Sequence, residues 1–535
     1  MKSMVYLLSL FFLLSACHQN RIPTQQYYKS KRGVVSAAHP LATKAGHEIL
    51  AKGGNAADAA VAAAFALAVV EPSMSGLGGR LQSIIRTAEG EIRGVDATTQ
   101  TPIAYDTAVF KPQRYGYTTI GIPGVVAGLT KLSSDYGSLP LAEVMAPAIR
   151  YAEEGFELLP LEARRHAAAQ EQLQEFEGSR QYFLRSDGST YPAGSTFVQK
   201  DLARTLRAIA ERGKAGFYEG PIAEKIAADM QANGACLALE DLKNYQAYDS
   251  EIVHGDYRGY DLHGLWLPSY GAIAIEILHI LEQFPIGELS EAERLRITAE
   301  AMRLAYEDRD KQYEGDSMRQ VLLSEAYAKQ QAEQIALRPA AGSTGALDAL
   351  PESWSAEQGH TTHLTVAGPD GMVVALTQSL GPNMGSKVAS PDLGFLYAVS
   401  LGAYLGMYEP GQRVSSHISP FLVTKDGEPF MGLGAAGGSR IVTAVAQVIS
   451  RVIDQDMPLD DALAAPRVFA DDDETLLELH PGTDWSQETL RELKSMGLQL
   501  ESIPSPARFG RVHAVQYRNG KWIGAADPDW EGAVW

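Results

Sequence analysis

Cysteine and positive charge are both scarce in this sequence. Cys17 and Cys236 are the only cysteines among 535 residues. If the Cys17 thiol is consumed by a modification, no disulfide can form within the chain, so stability has to come from burial of apolar side chains. Lys and Arg number 46 against 65 Asp and Glu, which leaves a net charge of -19. Nucleic-acid binding depends on cations that neutralise phosphates, and the composition therefore predicts no nucleic-acid partner.

The sequence also has no apolar run of the roughly 20 residues that a bilayer-spanning helix needs. The first candidate, Val5 to Leu14, is too short and follows one Lys, as in a secretory signal. It ends in Leu14-Ser15-Ala16-Cys17, which is similar to a bacterial lipobox. We therefore expect a lipoprotein signal peptide over residues 1–16 and a tether over residues 17–32 that begins with a lipidated Cys17.

This signal predicts where the protein is found. Lipid on Cys17 would hold the protein on a membrane of a bacterial cell envelope, on its periplasmic or extracytoplasmic side. An ordinary signal peptide with an incidental cysteine is the alternative. After the polar residues 19–31 no linker or repeat divides the chain, which favours one globular unit.

Helical periodicity dominates the first two thirds of the chain. The segments with helical spacing of apolar residues are Leu41 to Leu50, Ala56 to Val70, Leu139 to Glu154, Asp201 to Arg212, Pro221 to Ala232, Gly271 to Glu282 and Ser290 to Tyr313. After Thr361, short β-branched or alternating runs predict strands. The turn sequence of residues 368–371 lies between the first two and predicts a hairpin that begins at Thr361. Strands and helices in layers indicate an α+β sandwich.

Thr361 opens this hairpin, directly after His360. A threonine hydroxyl is a poor nucleophile unless a base lies beside it, and a free α-amino group on the same residue is such a base. The reference pKa of an α-amino group, about 7.7 to 8.0, lies close to working pH. Placement at the start of a strand would hold the attacking atom rigidly. We therefore interpret Thr361 as a nucleophile that self-cleavage between His360 and Thr361 exposes.

Two glycines form a second candidate feature, at a predicted strand-to-helix transition that reads Gly437-Gly438-Ser439-Arg440. Without side chains, Gly437 and Gly438 can turn backbone N–H groups toward an oxyanion. Loss of one such donor costs about 3 to 4 kcal/mol of transition-state stabilisation. Two glycines also fit a plain tight turn.

Two further pairs of residues have a functional and a plain interpretation. His360 and His363 could indicate a metal site, because histidines near carboxylates are common ligands. No third ligand stands near them, so we expect surface or core roles, no metal and no cofactor. Ser415 and Ser416 are candidate substrate contacts, and capping of a helix or turn is the alternative.

Several motifs occur in one order along the chain. They are His39-Pro-Leu-Ala, Gly53-Gly-Asn-Ala-Ala-Asp-Ala, Glu71-Pro72, Gly121-Ile-Pro-Gly-Val-Val-Ala-Gly, Ala146-Pro-Ala-Ile-Arg, Gly255-Asp-Tyr-Arg-Gly-Tyr, Glu300-Ala-Met-Arg-Leu-Ala-Tyr, Thr361-Thr-His, Ser415-Ser416, Gly437-Gly-Ser-Arg and Asp527-Pro528. From about Gly33 to Trp535 the sequence resembles the gamma-glutamyltranspeptidase family of N-terminal-nucleophile hydrolases. The resemblance implies a four-layer αββα sandwich. It also implies a precursor that yields a mainly helical large subunit, residues 33–360, and a small subunit, residues 361–535, which stay together as one globular unit.

The same resemblance implies roles for individual residues. Thr361 would attack the γ-glutamyl amide of glutathione and pass the acyl group to water or an amine. Ser379 falls where the family has a second hydroxyl close to the nucleophile. Gly437 and Gly438 would form the oxyanion hole, and the pair Ser415–Ser416 would contact the substrate α-carboxylate.

The residues that hold the glutamyl group in the family are replaced in this sequence. Thr98 stands in the place of the arginine that binds the α-carboxylate. Gly381 replaces an asparagine that binds the α-ammonium, and residues 398–403 contain no acid that could pair with it. Arg80 stands where the family has glycine, and it could offer a substitute cation for a carboxylate or form a surface salt bridge.

Three hypotheses remain open. The first is a self-processing gamma-glutamyltranspeptidase-like enzyme that acts on a γ-glutamyl compound or a related acyl amide. The second is an acylase of N-acyl amides or β-lactam side chains, with an apolar pocket formed by Ala398, Val399 and Ala403. The third is an uncleaved, non-catalytic binding lipoprotein of the same fold.

Overall fold

The computed structural model describes residues 25–111, 113–337, 360–402, 404–406, 408–471, 474–479, 485–504 and 509–535. The expected signal peptide, Cys17, residues 17–24 of the tether and Ala403 lie outside the described residues. His360 and Thr361 are described as consecutive residues of one strand, so the structure is that of the uncut chain.

Strands occur along the whole described chain. They are β1 (Tyr27–Ser30), β2 (Val34–Ala37), β3 (Arg80–Arg86), β4 (Ile92–Ala97), β5 (Phe156–Glu157), β6 (Thr196–Phe197), β7 (Tyr248–Asp249), β8 (Ile252–Tyr257), β9 (Tyr260–Leu265), β10 (His360–Ala367), β11 (Val373–Gly381), β12 (Phe421–Lys425), β13 (Glu428–Ala436), β14 (Val468–Asp471), β15 (Glu474–Leu479), β16 (Gln499–Pro504), β17 (Arg511–Arg518), β18 (Lys521–Ala526) and β19 (Ala533–Val534).

The helices lie mainly before residue 338. They are α1 (Pro40–Ala51), α2 (Ala56–Val70), α3 (Val125–Tyr136), α4 (Leu141–Glu154), α5 (Pro160–Ala168), α6 (Gln170–Leu173), α7 (Glu177–Phe183), α8 (Lys200–Arg212), α9 (Ala215–Tyr218), α10 (Pro221–Ala232), α11 (Leu239–Asn244), α12 (Gly271–Glu282), α13 (Glu291–Glu307), α14 (Asp316–Leu322), α15 (Glu325–Leu337), α16 (Arg440–Asp454), α17 (Leu459–Ala464) and α18 (Gln487–Ser495). Short 3₁₀ helices occupy Tyr117–Thr119, Ile286–Glu288 and Arg309–Glu314.

Two seven-stranded sheets form the centre of the molecule. The nucleophile sheet, named for Thr361, has the strand order β19-β2-β10-β11-β3-β4-β7, and the facing sheet has the order β1-β18-β17-β13-β12-β9-β8. One apolar cluster fills the space between them and includes Ile84, Ala375, Leu422, Val515 and Trp522. Helix α2 packs on the outer side of the nucleophile sheet, and α12 and α16 pack on the facing sheet. The four-layer αββα architecture is therefore confirmed.

Helix α2, which is rich in alanine, lies entirely in the protein core. Asn55 and Asp58 form a capping box at its start, and every residue from Ala56 to Val70 is buried. Its small side chains let α1 and α4 pack closely against it. Within the described ranges, no helix is both long enough and apolar enough to cross a membrane.

The structure differs from the sequence prediction in two respects. The helix predicted over Ser290 to Tyr313 ends at Glu307 and is followed by the 3₁₀ helix Arg309–Glu314. At this change the Asp308 carboxylate accepts hydrogen bonds from the side chains of Tyr327 at 2.6 Å and Gln331 at 3.0 Å, both on α15. The first two thirds of the chain also supply strands of both sheets, including β2 and β3. Both strands are buried on both faces, so they show no alternation of polar and apolar residues that would reveal a strand.

Candidate active site

The hairpin of β10 and β11 lies at the centre of the nucleophile sheet. Thr361 is paired with Ser379 across the hairpin, and Ser379 is paired with Arg80 on the next strand, β3. Directly opposite residues of antiparallel strands project from the same face of a sheet. The side chains of these three residues therefore share one face at one end of the sheet, and the predicted hairpin is confirmed.

Further along β10 the same face lies against the facing sheet. A methyl group added at Gly432 would lie 3.1 Å from Cγ2 of Thr365, and one added at Gly434 would lie 2.3 Å from Cε1 of His363. The two facing strands β10 and β13 therefore run in opposite directions. Continuing this correspondence by two residues brings Ala436, the last residue of β13, to the level of Thr361.

Three oxygen atoms form a hydrogen-bonded chain at the start of β10. The Ser379 hydroxyl donates to the carbonyl oxygen of His360 at 2.9 Å, and the Oγ atoms of Thr361 and Ser379 are 3.0 Å apart. Because Ser379 has one hydroxyl proton, the Thr361 hydroxyl is the donor in the shared bond. The Gly381 N–H also donates to Ser379 Oγ at 2.9 Å, which fixes the orientation of that hydroxyl. Thr361 and Ser379 are buried, with exposed fractions of 4% and 3%.

The Gly437–Gly438 turn follows β13 directly and precedes α16. Gly437 has φ 152° and Gly438 has φ 62°, values that favour glycine. A methyl group added at Gly437 would lie 2.8 Å from the Cα atom of Gly510, so the two chain segments approach closely. Because the turn follows Ala436, the correspondence between β13 and β10 brings it to the level of the start of β10.

A buried ion-pair network holds Gly510, the residue that contacts this turn. Arg467 donates to the carbonyl oxygen of Gly510 at 3.0 Å and to the Asp527 carboxylate at 2.9 Å. Asp527 also accepts from the N–H of Val512 at 3.3 Å. Burial disfavours the charged form of Asp527, but the guanidinium groups of Arg467 and Arg511 hold its pKa below the usual value. The network keeps Gly510, and with it the glycine turn, in a fixed position.

His363 has a core role. Its Nδ1 is 2.7 Å from the Thr377 hydroxyl and its Nε2 is 2.9 Å from the Thr365 hydroxyl, so both ring nitrogens are hydrogen-bonded. Burial lowers its pKa well below the usual value, and the ring is neutral. The described residues contain no group of three or more His, Cys, Asp or Glu side chains arranged to hold a metal ion.

Arg80 lies inside the protein, with an exposed fraction of 1%. Its Nη2 donates to the carbonyl oxygen of Val399, and its buried Nε has no hydrogen-bond partner. No carboxylate among the described residues forms an ion pair with it. The surface salt bridge considered from the sequence is therefore wrong. Burial lowers the pKa of Arg80 to about 10, so the guanidinium is still charged at neutral pH.

Ser415 and Ser416 have different surroundings. The Ser415 hydroxyl accepts a hydrogen bond from the Tyr313 hydroxyl at 2.7 Å, and Tyr313 is 3.1 Å from the hydroxyl of Tyr270. The Ser416 hydroxyl accepts from the N–H of Ile418 at 3.2 Å, a local turn contact. Ser416 thus makes the kind of contact that turn capping predicts, whereas Ser415 is held by a tyrosine, and the substrate contact of the pair stays a prediction.

Other positions that differ from the family, at Thr98 and in residues 398–399, are buried or hydrogen-bonded within the protein. Thr98 donates to the carbonyl oxygen of Val414 at 2.7 Å. Ala398 and Val399 are buried, and Val399 presents its carbonyl oxygen to Arg80. The apolar pocket expected from Ala398, Val399 and Ala403 stays a prediction, because Ala403 lies outside the described residues and the contact of Val399 with Arg80 is made by its backbone.

Comparison with known proteins agrees with this geometry. A family model described as gamma-glutamyltranspeptidase matches residues 42–535. The chain belongs to the gamma-glutamyltranspeptidase family. It is 33% identical over 537 residues to a glutathione hydrolase proenzyme of Escherichia coli strain K12, a match that covers 94% of this chain and 91% of that protein.

Two relatives have names that refer to acylases. The Acylase ACY 1 proenzyme of Pseudomonas sp. strain V22 is 32% identical over 524 residues, with 92% of each chain covered. The crystal structure of a cephalosporin acylase from Bacillus halodurans has a TM-score of 0.87 at 27% identity, covering 98% of this chain and 99% of that chain. The protein is thus a gamma-glutamyltranspeptidase-family enzyme with the N-terminal-nucleophile fold.

Sequence reasoning missed the tyrosines around Ser415. Tyr313 is the last residue of the predicted helix and belongs to no motif, and Tyr408 lies in a loop, with its hydroxyl 3.5 Å from the carbonyl oxygen of Ser415. The hydroxyl of Tyr270 joins the same cluster, 3.1 Å from that of Tyr313.

Proposed function

We propose that the precursor cuts itself between His360 and Thr361, and that the new N-terminal Thr361 then cleaves an amide through an acyl-enzyme. The observation that carries this proposal is the hydrogen-bonded chain from the Thr361 hydroxyl through Ser379 to the His360 carbonyl oxygen. It joins a nucleophile to the carbonyl that the nucleophile has to attack.

Self-cleavage follows from this arrangement. Thr361 Oγ attacks the carbonyl carbon of His360 as its proton passes to Ser379, and Ser379 gives its own proton to the carbonyl oxygen. The resulting tetrahedral species collapses with breakage of the C–N bond, and the nitrogen takes the proton back, which leaves an ester and a free amine. Water then hydrolyses the ester, and Thr361 regains its hydroxyl.

Amide turnover uses the groups that cleavage releases. The α-amino group of Thr361 takes the hydroxyl proton, and Oγ attacks the substrate carbonyl. Backbone N–H groups of the Gly437–Gly438 turn would stabilise the oxyanion. The leaving amine departs with a proton, and water or a second amine accepts the acyl group. The substrate is a γ-glutamyl compound such as glutathione or a related acyl amide.

The acylase activity is the second candidate function. It is favoured by Thr98 and Ser415, whose hydroxyls are engaged within the protein, and by the names of the two acylase relatives. An intact nucleophile region argues against a non-catalytic binding protein.

Intact-mass analysis of the purified protein tests the proposal. We expect two fragments, ending at His360 and starting at Thr361, and a mass increase on the second fragment when an amide substrate is trapped. Thr361→Ala should give one uncut chain, whereas Thr361→Ser, which keeps a hydroxyl, should still be cut. A wild-type chain that stays uncut would contradict the proposal.

The same spectra test a separate proposal about the N-terminus. We propose that Cys17 carries lipid and anchors the enzyme to the cell envelope, on its periplasmic or extracytoplasmic side. The lipobox-like sequence supports this. The large fragment should then start at Cys17 and exceed its peptide mass by the mass of the lipid, and Cys17→Ser should abolish the increase.

A further inference from the structure

Two departures from the family pattern meet in space. Gly381 has φ 92°, and a methyl group added there would lie 3.4 Å from Nη2 of Arg80 and 3.1 Å from Cε1 of Tyr404. The Arg80 guanidinium therefore borders the space that a side chain at position 381 would occupy. Arginine in place of glycine at position 80 and glycine in place of asparagine at position 381 are complementary changes.

The two changes make the site beside position 381 suited to a negative group of the substrate and no longer to a positive one. The resemblance assigns an asparagine at position 381 to the α-ammonium of a glutamyl substrate, and a guanidinium now lies there. The groups that act electrostatically on Arg80 are the hydroxyls of Tyr404 and Tyr408. Asp96, on the strand next to β3, is engaged by the side chain of Gln82 at 2.9 Å and by the N–H of Thr98 at 2.9 Å. A substrate ammonium would therefore meet a cation, and the carboxylate on the neighbouring strand is already hydrogen-bonded within the protein.

The family's carboxylate subsite is changed in the opposite sense. The Ser415 hydroxyl is held by Tyr313, and the Thr98 hydroxyl by the carbonyl oxygen of Val414. Neither residue brings a positive charge. Arg80, in contrast, is a buried cation whose Nε has no partner and whose side chain shares a sheet face with Thr361.

We propose that Arg80 is the specificity-determining residue of the acyl site, and that the enzyme prefers acyl groups that carry a carboxylate and no ammonium. This inference rests on the proposed function and names its substrate class, the monoamides of short dicarboxylic acids. Guanidinium and carboxylate form charge-assisted, often bidentate hydrogen bonds. Neighbouring strands lie roughly 5 Å apart, so the Cα atoms of Arg80 and Thr361, two strands apart, are about 10 Å from each other. The arginine side chain and an acyl chain of a few carbons can span that gap.

Three p-nitroanilides with the same five-carbon acyl chain and different charged groups test the inference on the processed enzyme. Glutaryl-p-nitroanilide has the terminal carboxylate, γ-glutamyl-p-nitroanilide adds an α-ammonium, and 4-carbamoylbutanoyl-p-nitroanilide is the neutral isostere. We expect kcat/KM for the glutaryl compound to exceed both others by roughly 10- to 100-fold, the value of one charge-assisted interaction.

Arg80 variants separate recognition from structure. Arg80→Gln should raise KM for the glutaryl compound by roughly the same 10- to 100-fold with little change in kcat, and should leave the neutral compound unaffected. Arg80→Lys should recover part of the loss. Arg93→Gln, at an exposed arginine on the neighbouring strand β4, is the matched control and should change nothing.

The binding of glutarate tests the same site without requiring that an amide be cleaved. Glutarate should raise the Tm of the processed wild-type enzyme and not that of Arg80→Gln. The inference is overturned if the γ-glutamyl or neutral compound is cleaved as well as the glutaryl one, or if Arg80→Gln leaves both the substrate preference and the glutarate effect intact. Failure of the proposed function looks different, because the chain would then stay uncut and all three amides would be inert.

Discussion

The nucleophile region keeps the functional groups of the family pattern, whereas the proposed acyl-binding shell has several residues replaced, although both lie in the same fold. Thr361, Ser379 and the Gly437–Gly438 turn are supported by strand register, a close backbone contact and a buried ion-pair network. Arg80 and Gly381, in contrast, lie at the ends of strands β3 and β11, and Ser415 lies in a loop. Bond cleavage needs atoms within a few tenths of an ångström of one geometry, whereas recognition needs only a complementary charge at the right place. The shell can therefore be exchanged while the nucleophile region is retained.

The largest expected effect is on the glycine turn. Gly437→Ala should lower kcat for amide cleavage by about 10²- to 10³-fold with little change in KM, because the added methyl group collides with Gly510 and displaces the oxyanion donors. Steady-state kinetics of the processed enzyme measure this. Gly427→Ala is the control, because Gly427 also has a positive φ of 78° but its added methyl group meets nothing within 4 Å. A loss of less than tenfold would remove the turn from the catalytic geometry.

Ser379 should matter next most, and for self-cleavage in particular. Ser379→Ala removes the donor to the His360 carbonyl oxygen and should slow cleavage by about 10²-fold. Ser379→Thr keeps the hydroxyl and should cleave at close to the wild-type rate. A time course on a denaturing gel distinguishes them, and equal rates for all three chains would refute the proposed relay.

The core beside the nucleophile hairpin should respond to acid, because it contains the buried His513, whose carbonyl oxygen accepts a hydrogen bond from Thr365 on β10 at 2.9 Å. Burial lowers the pKa of His513 to about 4, against 6.5 in the unfolded chain. Between these values the unfolded chain binds a proton that the folded chain does not, so stability is lost as pH falls from 6.5 toward 4. At pH 5 this amounts to about 2 kcal/mol of unfolding free energy.

Thermal denaturation at pH 7 and pH 5 measures this contribution. The fall in stability should be smaller in His513→Gln than in the wild type, whereas His47→Gln, at an exposed histidine, should match the wild type. An unchanged fall in His513→Gln would mean that other buried groups dominate.

The smallest expected effect is that of restoring the family residues in the proposed acyl-binding shell. Arg80→Gly combined with Gly381→Asn restores the family residues, and asparagine tolerates the positive φ at position 381. The ratio of kcat/KM for γ-glutamyl to glutaryl p-nitroanilide should rise by roughly tenfold. Self-cleavage should be unaffected, and a change in cleavage without a change in the ratio would mean that the two regions are not separable.

Much of the nucleophile region was accessible from sequence because its signals are local. Thr361 at the start of a hairpin and the consecutive glycines before α16 are short patterns with a direct structural meaning, and the structure confirms both elements. Strands β2 and β3 were missed because central strands buried on both faces carry no alternation. The end of α13 was missed because neither proline nor glycine marks the change to the 3₁₀ helix Arg309–Glu314 in the sequence.

The sequence by itself determined the family, the candidate nucleophile and the list of substituted positions, because motifs and turn chemistry are read from neighbouring residues. Only the tertiary structure decided where the substituted residues lie relative to one another. Residues 80 and 381 are 301 positions apart in the numbering, yet the guanidinium of one borders the space left by the other. Whether a charged residue forms a surface ion pair or a buried subsite depends on which strands pair, and strand pairing is a property of the whole sheet.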